Sequence, residues 1–132
     1  MTAMPMHTLD AADSWTRLRS KSVGRLAVSV GDQPDVFPVN FLALENTILI
    51  RTGAGGKLDD ITSNALVAFE IDDIGDHLAW SVVVKGTAKR VDDLAAIETA
   101  QHSPLWTWIP RDADVFVSIT PVEISGRSFH RD

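Results

Sequence analysis

Apolar and polar residues alternate along most of this chain. In "RLAVSV", Leu26, Val28 and Val30 fall on one face of an extended segment. "VFPVNFLAL" and "TILIRT", nearly continuous in apolar residues, read as further strands with "ALVAFEID", and the period of two returns after them. It is longest in "LAWSVVVKGTAKRV", where Trp80, Val82, Val84 and Ala88 share one face and Ser81, Lys85, Thr87 and Lys89 the other. "GDQPD" supplies a turn between the first two of these segments, and Glu45-Asn46 a two-residue hairpin turn before "TILIRT". The closing stretch "DVFVSITPVEISGRSFHR" predicts one or two strands interrupted around Pro121.

Three segments depart from that period. Asp13 to Lys21 predicts a short helix capped by Asp13 or Ser14, with Trp15 and Leu18 on one side. "KLDDITSN" fits a second short helix with Leu58 and Ile61 inward. "DDLAAIETAQH" is the clearest, opened by Asp92 and Asp93 and carrying Leu94, Ile97 and Gln101 on one stripe. Residues 1–12 read as a loose arm. Six or seven strands joined by short turns, with two or three short helices, predict a mainly β domain. An antiparallel barrel with helices outside is favoured, because an open sheet of long strands would expose its edges. One domain covers residues 1–132.

Composition narrows the chemistry. There is no cysteine, so disulfides and zinc–thiolate sites are excluded. The net charge of −6 argues against nucleic acid as a partner. No apolar run approaches the roughly 20 residues of a membrane helix, and "MTAMPMHTLDAAD" does not read as a signal peptide. No membrane partner and a cytoplasmic location are the expectations.

The four histidines lack metal-ligand spacing, and no metal site is expected. The adjacent acid pairs Asp59-Asp60, Asp72-Asp73 and Asp92-Asp93 read as turn and cap residues. No self-contained catalytic set emerges, so the chain needs an outside reagent for chemistry. "RTGAGGKL" fails both well-known phosphate-loop patterns, since Arg51 stands where the first P-loop glycine belongs and Leu58 where Ser, Thr or the third dinucleotide glycine belongs. Taken alone it is either a turn or an anion site built from close-approaching backbone, Arg51 and Lys57. Pro38 and Asn40 in "FPVNF" fit a bulge beside a ligand, or an edge strand with a hydrogen-bonded core asparagine. Trp80, Trp106 and Trp108 suit a cofactor platform or a core and interface anchor equally.

The order of "VGRLAVSV", "PDVFPVNFLAL", "ILIRTGAGGKL", "VAFEID", "WSVVVKGTAKRV" and "ISGRSF", over residues 23–129, resembles the pyridoxamine 5′-phosphate oxidase-like superfamily of FMN-binding split β-barrel flavoproteins. The likeness is to its short actinobacterial and nitroimidazole-resistance-like branch. That resemblance implies a split-barrel homodimer with two flavin sites at the interface. It would place Arg51, Thr52 and Lys57, with Leu58 beside them, at the FMN phosphate. Pro38, Val39 and Asn40 would run along the ring, and Trp80, Ser81 and Val82 would approach from the next strand. Trp106 or Trp108, and Arg127, would come from the other subunit. The vitamin B6 enzymes close with Arg-x-His; here His130 lies three after Arg127, which argues against pyridoxamine phosphate oxidation. The resemblance implies an oxidoreductase passing hydride through flavin N5 to a small conjugated substrate. Its alternatives are a deazaflavin-dependent reductase on the same fold, a haem-binding relative, and a flavin carrier or sensor without turnover. Outside the resemblance, a barrel that binds no flavin remains open.

Overall fold

The computed structural model describes residues 6–53, 65–105 and 114–131. The strands are β1 (Met6–Leu9), β2 (Val23–Val30), β3 (Gln33–Ala43), β4 (Ile48–Gly53), β5 (Ala65–Ile74), β6 (Leu78–Arg90) and β7 (Asp114–His130), with helices α1 (Ala11–Arg19) and α2 (Leu94–Gln101). All pairings are antiparallel, in the order β1-β7-β4-β3-β2-β5-β6. A further β6–β7 pairing closes β2 to β7 into a ring, with β1 added along the C-terminal part of β7.

The period-two pattern becomes the inside of that ring. Leu26, Phe41, Ile50, Phe69, Val82, Val84 and Val117 pack there as one buried cluster. Trp80 belongs to it as well, covered by α1: the Arg17 guanidinium lies 4.9 Å and the Lys21 ammonium 5.7 Å from the ring centroid. A smaller cluster forms outside the barrel, where Leu49 and Phe116 meet Ala100 and Leu105 under α2.

Turn chemistry sets the register. Gly31 (φ 56°) and Asp32 (φ 62°) both take left-handed backbone, the requirement of a two-residue type I′ hairpin. β3 therefore begins at Gln33, inside the segment expected to be a longer turn. Glu45-Asn46 makes the second two-residue turn, closed by the Leu44 amide on the Thr47 carbonyl at 2.8 Å. The closing stretch is one strand, β7, and its irregularity near Pro121 is a bulge. Lys85 pairs with Glu123 but Gly86 with Pro121, leaving Val122 without a counterpart.

Both described helices are shifted from their expected form. α1 is capped by Asp10, whose carboxylate accepts from the Asp13 amide at 2.8 Å, so Ser14 lies inside the helix and is buried beside Leu18. Alanines 11 and 12 let the helix start early, and the Ser20 hydroxyl on the Arg17 carbonyl (2.6 Å) ends it. Asp93 caps α2 as expected, but Ile97 and Ala100 face the sheet while Leu94 is 82% exposed and Gln101 is exposed. The reason is phase: the seat on Leu49 and Phe116 takes the positions three apart near the helix end. The stretch read as a loose arm holds β1, paired from Met6↔Phe129 to Leu9↔Gly126. The expected helix in "KLDDITSN" lies outside the described residues.

Candidate functional site

Pro38, Asn40 and Arg51 come together on the outer face of β3 and β4. The Phe41 amide donates to the Ser22 carbonyl beyond β2 (3.0 Å), so amides of odd-numbered β3 residues face β2 and those of even-numbered ones face β4. Pairing with β4 starts only at Asn40↔Arg51. Among the described residues Pro38 has no ladder pair on β4, so its missing N–H breaks none of the pairs formed there.

Asn40 sits at the end of that ladder, directly opposite Arg51, and is only 5% exposed. Its side-chain nitrogen is buried and has no hydrogen-bond partner among the described residues. A buried amide donor without an acceptor costs about 1–3 kcal/mol. Arg51, 4% exposed, donates from Nη1 to the Leu105 carbonyl at 2.7 Å, with its guanidinium 5.4 Å from the Phe116 ring centroid. This arginine ties the chain beyond α2 to β4, one residue ahead of Thr52 and the glycine-rich segment. Its neighbours Val39 and Thr52 point to the opposite, interior side of their strands, Val39 within the core and Thr52 opposite Val115.

The remaining residues of interest divide. Trp80 and Val82 are interior. Ser81 and Arg127 are outward, and they are direct cross-strand partners, with Asp72 on the other side of Ser81. Lys57, Leu58, Trp106 and Trp108 lie outside the described residues.

Beside Ser81 is an ionic cluster that adjacent-residue scanning misses. The Arg25 Nη1 lies 3.2 Å from Glu70 Oε1 and 3.4 Å from Asp72 Oδ2. The signal was available in "EID": residues two apart on a strand share a face, so Glu70 and Asp72 meet although neither is next to an acid of its own face in sequence. Burial, the hydrogen bond to Asp72 and the charge of Asp72 raise the Glu70 pKa to about 7, against the pull of Arg25. The folded state therefore holds a proton that the unfolded chain releases near 4.5. Stability from this group is complete below that value and is lost as pH rises through about 7. Glu70→Gln is expected to flatten the fall in melting temperature between about pH 5 and about pH 8. Thermal scans across that range check it, and an unchanged slope would remove Glu70 as the cause.

Among the described residues, no group of three or more His, Asp or Glu side chains is placed to hold a metal ion. No described helix is long and apolar enough to cross a membrane.

Comparison with known proteins accords with this geometry. A protein of Corynebacterium glutamicum, provisionally described as a pyridoxamine 5′-phosphate oxidase, is 42% identical with a TM-score of 0.87, over 96% of this chain and 100% of that one. The FAD binding protein of Mycobacterium smegmatis is 35% identical with a TM-score of 0.83, over 96% and 100%. A FAD-binding protein of Mesorhizobium loti is 25% identical with a TM-score of 0.76, over 93% and 97%. Residues 10–128 match the model of the family described as pyridoxamine 5′-phosphate oxidase, and the chain belongs to that family.

Proposed function

We propose that this chain binds a flavin nucleotide on the outer face around Asn40 and acts as a flavin-dependent oxidoreductase. The observation that carries the reading is the buried, unpartnered amide nitrogen of Asn40. A donor left without an acceptor suits a ligand ring edged with carbonyl and imine acceptors. Pro38, exposed on the same face, sets a flat apolar ring beside Asn40. The names of the Mycobacterium smegmatis and Mesorhizobium loti proteins support a flavin. FMN and FAD share the ring and the first phosphate, the two features this site would read; FMN is the cofactor the family resemblance implies.

In this reading Asn40 holds the ring edge and Arg51 fixes the chain on which it rests. Lys57 and the backbone of Thr52, with Leu58 beside them, meet the phosphate. Val39 and Val82 support the strands from inside. Ser81 lies outward on β6, and Arg127 and Trp108 come from the other subunit, Arg127 to a small conjugated substrate and Trp108 over the ring. The bound flavin would supply hydride or electron transfer, for which the protein contributes binding and orientation. The assembly proposed is a homodimer. A carrier or sensor without turnover, or a deazaflavin-dependent reductase, would show the same Asn40 dependence and differ in cofactor preference or turnover.

Lys57→Ala separates phosphate binding from ring binding. It is expected to weaken FMN about 10-fold to 100-fold, the worth of one charge-assisted hydrogen bond, and to leave riboflavin affinity nearly unchanged. Equal losses for the two would place Lys57 away from the phosphate.

A further inference from the structure

The barrel opens between β2 and β5. Their ladder runs from Arg25↔Glu70 to Ala27↔Ala68, and among the described residues no pair joins the two strands beyond it in that direction. Both strands continue, β2 to Val30 against β3 and β5 back to Ala65 against β6. A groove of about 490 Å³, the size of a small-molecule site, lies over this opening. Ala27 and Ala68 keep its floor low, and Val28 and Val67 line it from below where the ladder has ended. Its walls, Leu66 and Val122, are 77% and 78% exposed. Val122 is placed there by the β7 bulge, which leaves it without a partner across the ladder.

The polar groups around the groove set the charge of what it holds. At one end the Arg25 guanidinium contacts Glu70 and Asp72; at the other, Lys85 lies 4.0 Å from Glu123. Glu70, its pKa pushed up to about 7, keeps a proton in mildly acidic solution, so each end then balances one cation with one carboxylate. Neither end offers an unmatched charge, and the apolar walls would desolvate any charge placed between them. An uncharged ligand is matched. The Phe41–Ser22 bond turns the amides and carbonyls of even-numbered β2 residues to β3, so those of Ser29 face the opening. They supply one donor and one acceptor, which suits a carbonyl or amide at the edge of an apolar body.

We propose that the opening between β2 and β5 binds an uncharged apolar small molecule, its body between Leu66 and Val122 over the Ala27–Ala68 floor and its polar edge at the Ser29 backbone. The site stands on its own lining, whether or not a flavin binds at Asn40.

The test is a fluorescence titration of the full chain at about pH 6, where Glu70 holds its proton. The probes are N-phenylnaphthylamine, which is uncharged and apolar, and its sulfonated analogue anilinonaphthalene sulfonate. The uncharged probe is expected to bind at micromolar concentration, one per chain, with its emission shifted to the blue. Ala68→Phe, which fills the floor, is expected to weaken it at least about tenfold. Leu94→Asp removes an equally exposed leucine on α2, outside the groove, and is expected to leave binding unchanged. Glu123→Gln removes the acid facing Lys85 and is expected to tighten the sulfonate about fivefold without affecting the uncharged probe. A melting curve identifies a misfolded variant, in which case Ala27→Phe fills the same floor from β2. A wild type that binds neither probe, or uncharged-probe binding that survives a filled floor or falls equally with Leu94→Asp, overturns the site. A wild type that prefers the sulfonate, or a sulfonate indifferent to Glu123→Gln, overturns the ligand class. Binding that appears only on dilution of the protein would give this face to contact between chains and overturn the ligand site as well.

Discussion

Replacing Gly86 with alanine is expected to lower the melting temperature by about 10 °C, equivalent to about 3 kcal/mol of overpacking in a domain of this size. A Cβ at position 86 would collide with the Thr120 carbonyl oxygen and lie 2.9 Å from the Thr120 carbonyl carbon and 3.0 Å from the Pro121 Cα. All three are backbone atoms of β7, at the bulge where β6 and β7 close the barrel, so no side-chain rotation relieves the contact. Gly126 makes the informative control. There the closest atoms are the Ser14 hydroxyl at 2.6 Å and Leu9 side-chain atoms at 3.0 and 3.1 Å, which belong to α1 and β1. Gly126→Ala is expected to cost less because α1 and β1 can shift. Calorimetry of the two variants checks the order; a Gly86→Ala protein melting within about 2 °C of wild type would mean the bulge yields freely.

Asn40→Leu is expected to move stability and binding in opposite directions. The flavin-free protein should gain about 1–2 kcal/mol, because leucine fills the site without leaving a buried donor unpaired. Flavin affinity should fall by at least about tenfold, the worth of one buried hydrogen bond to the ligand. A structural asparagine behaves otherwise: its loss destabilises the free protein. Denaturant unfolding without flavin, paired with flavin titration of the same preparation, separates the two. Destabilisation of the free protein together with unchanged affinity would assign Asn40 to the fold alone.

The barrel was legible because its strands are half-buried and regular. Alternation at Trp80, Val82, Val84 and Ala88 leaves little freedom in which face turns inward, since a one-residue slip would expose all four. Helix phase was less legible. In α2 both Leu94 and Ala100 fit an apolar stripe, and only the position of Phe116 and Leu49 on the sheet selects Ala100. The same holds for the site. Pro38 and Asn40 were visible as exceptions to an apolar run, but that β4 begins pairing only at Asn40 is a property of the register. The Arg25–Glu70–Asp72 cluster joins β2 to β5, strands that are neighbours in space although two others separate them in sequence. Long-range pairing of that kind leaves no local signature.

Titration of the purified wild-type chain with FMN and with FAD, followed by the visible flavin spectrum, is the most direct test of cofactor binding. Saturable binding of one flavin per chain at micromolar concentrations, with the spectral shift of a ring leaving water, is the predicted result. No change in the spectrum of either nucleotide at saturating protein would contradict it.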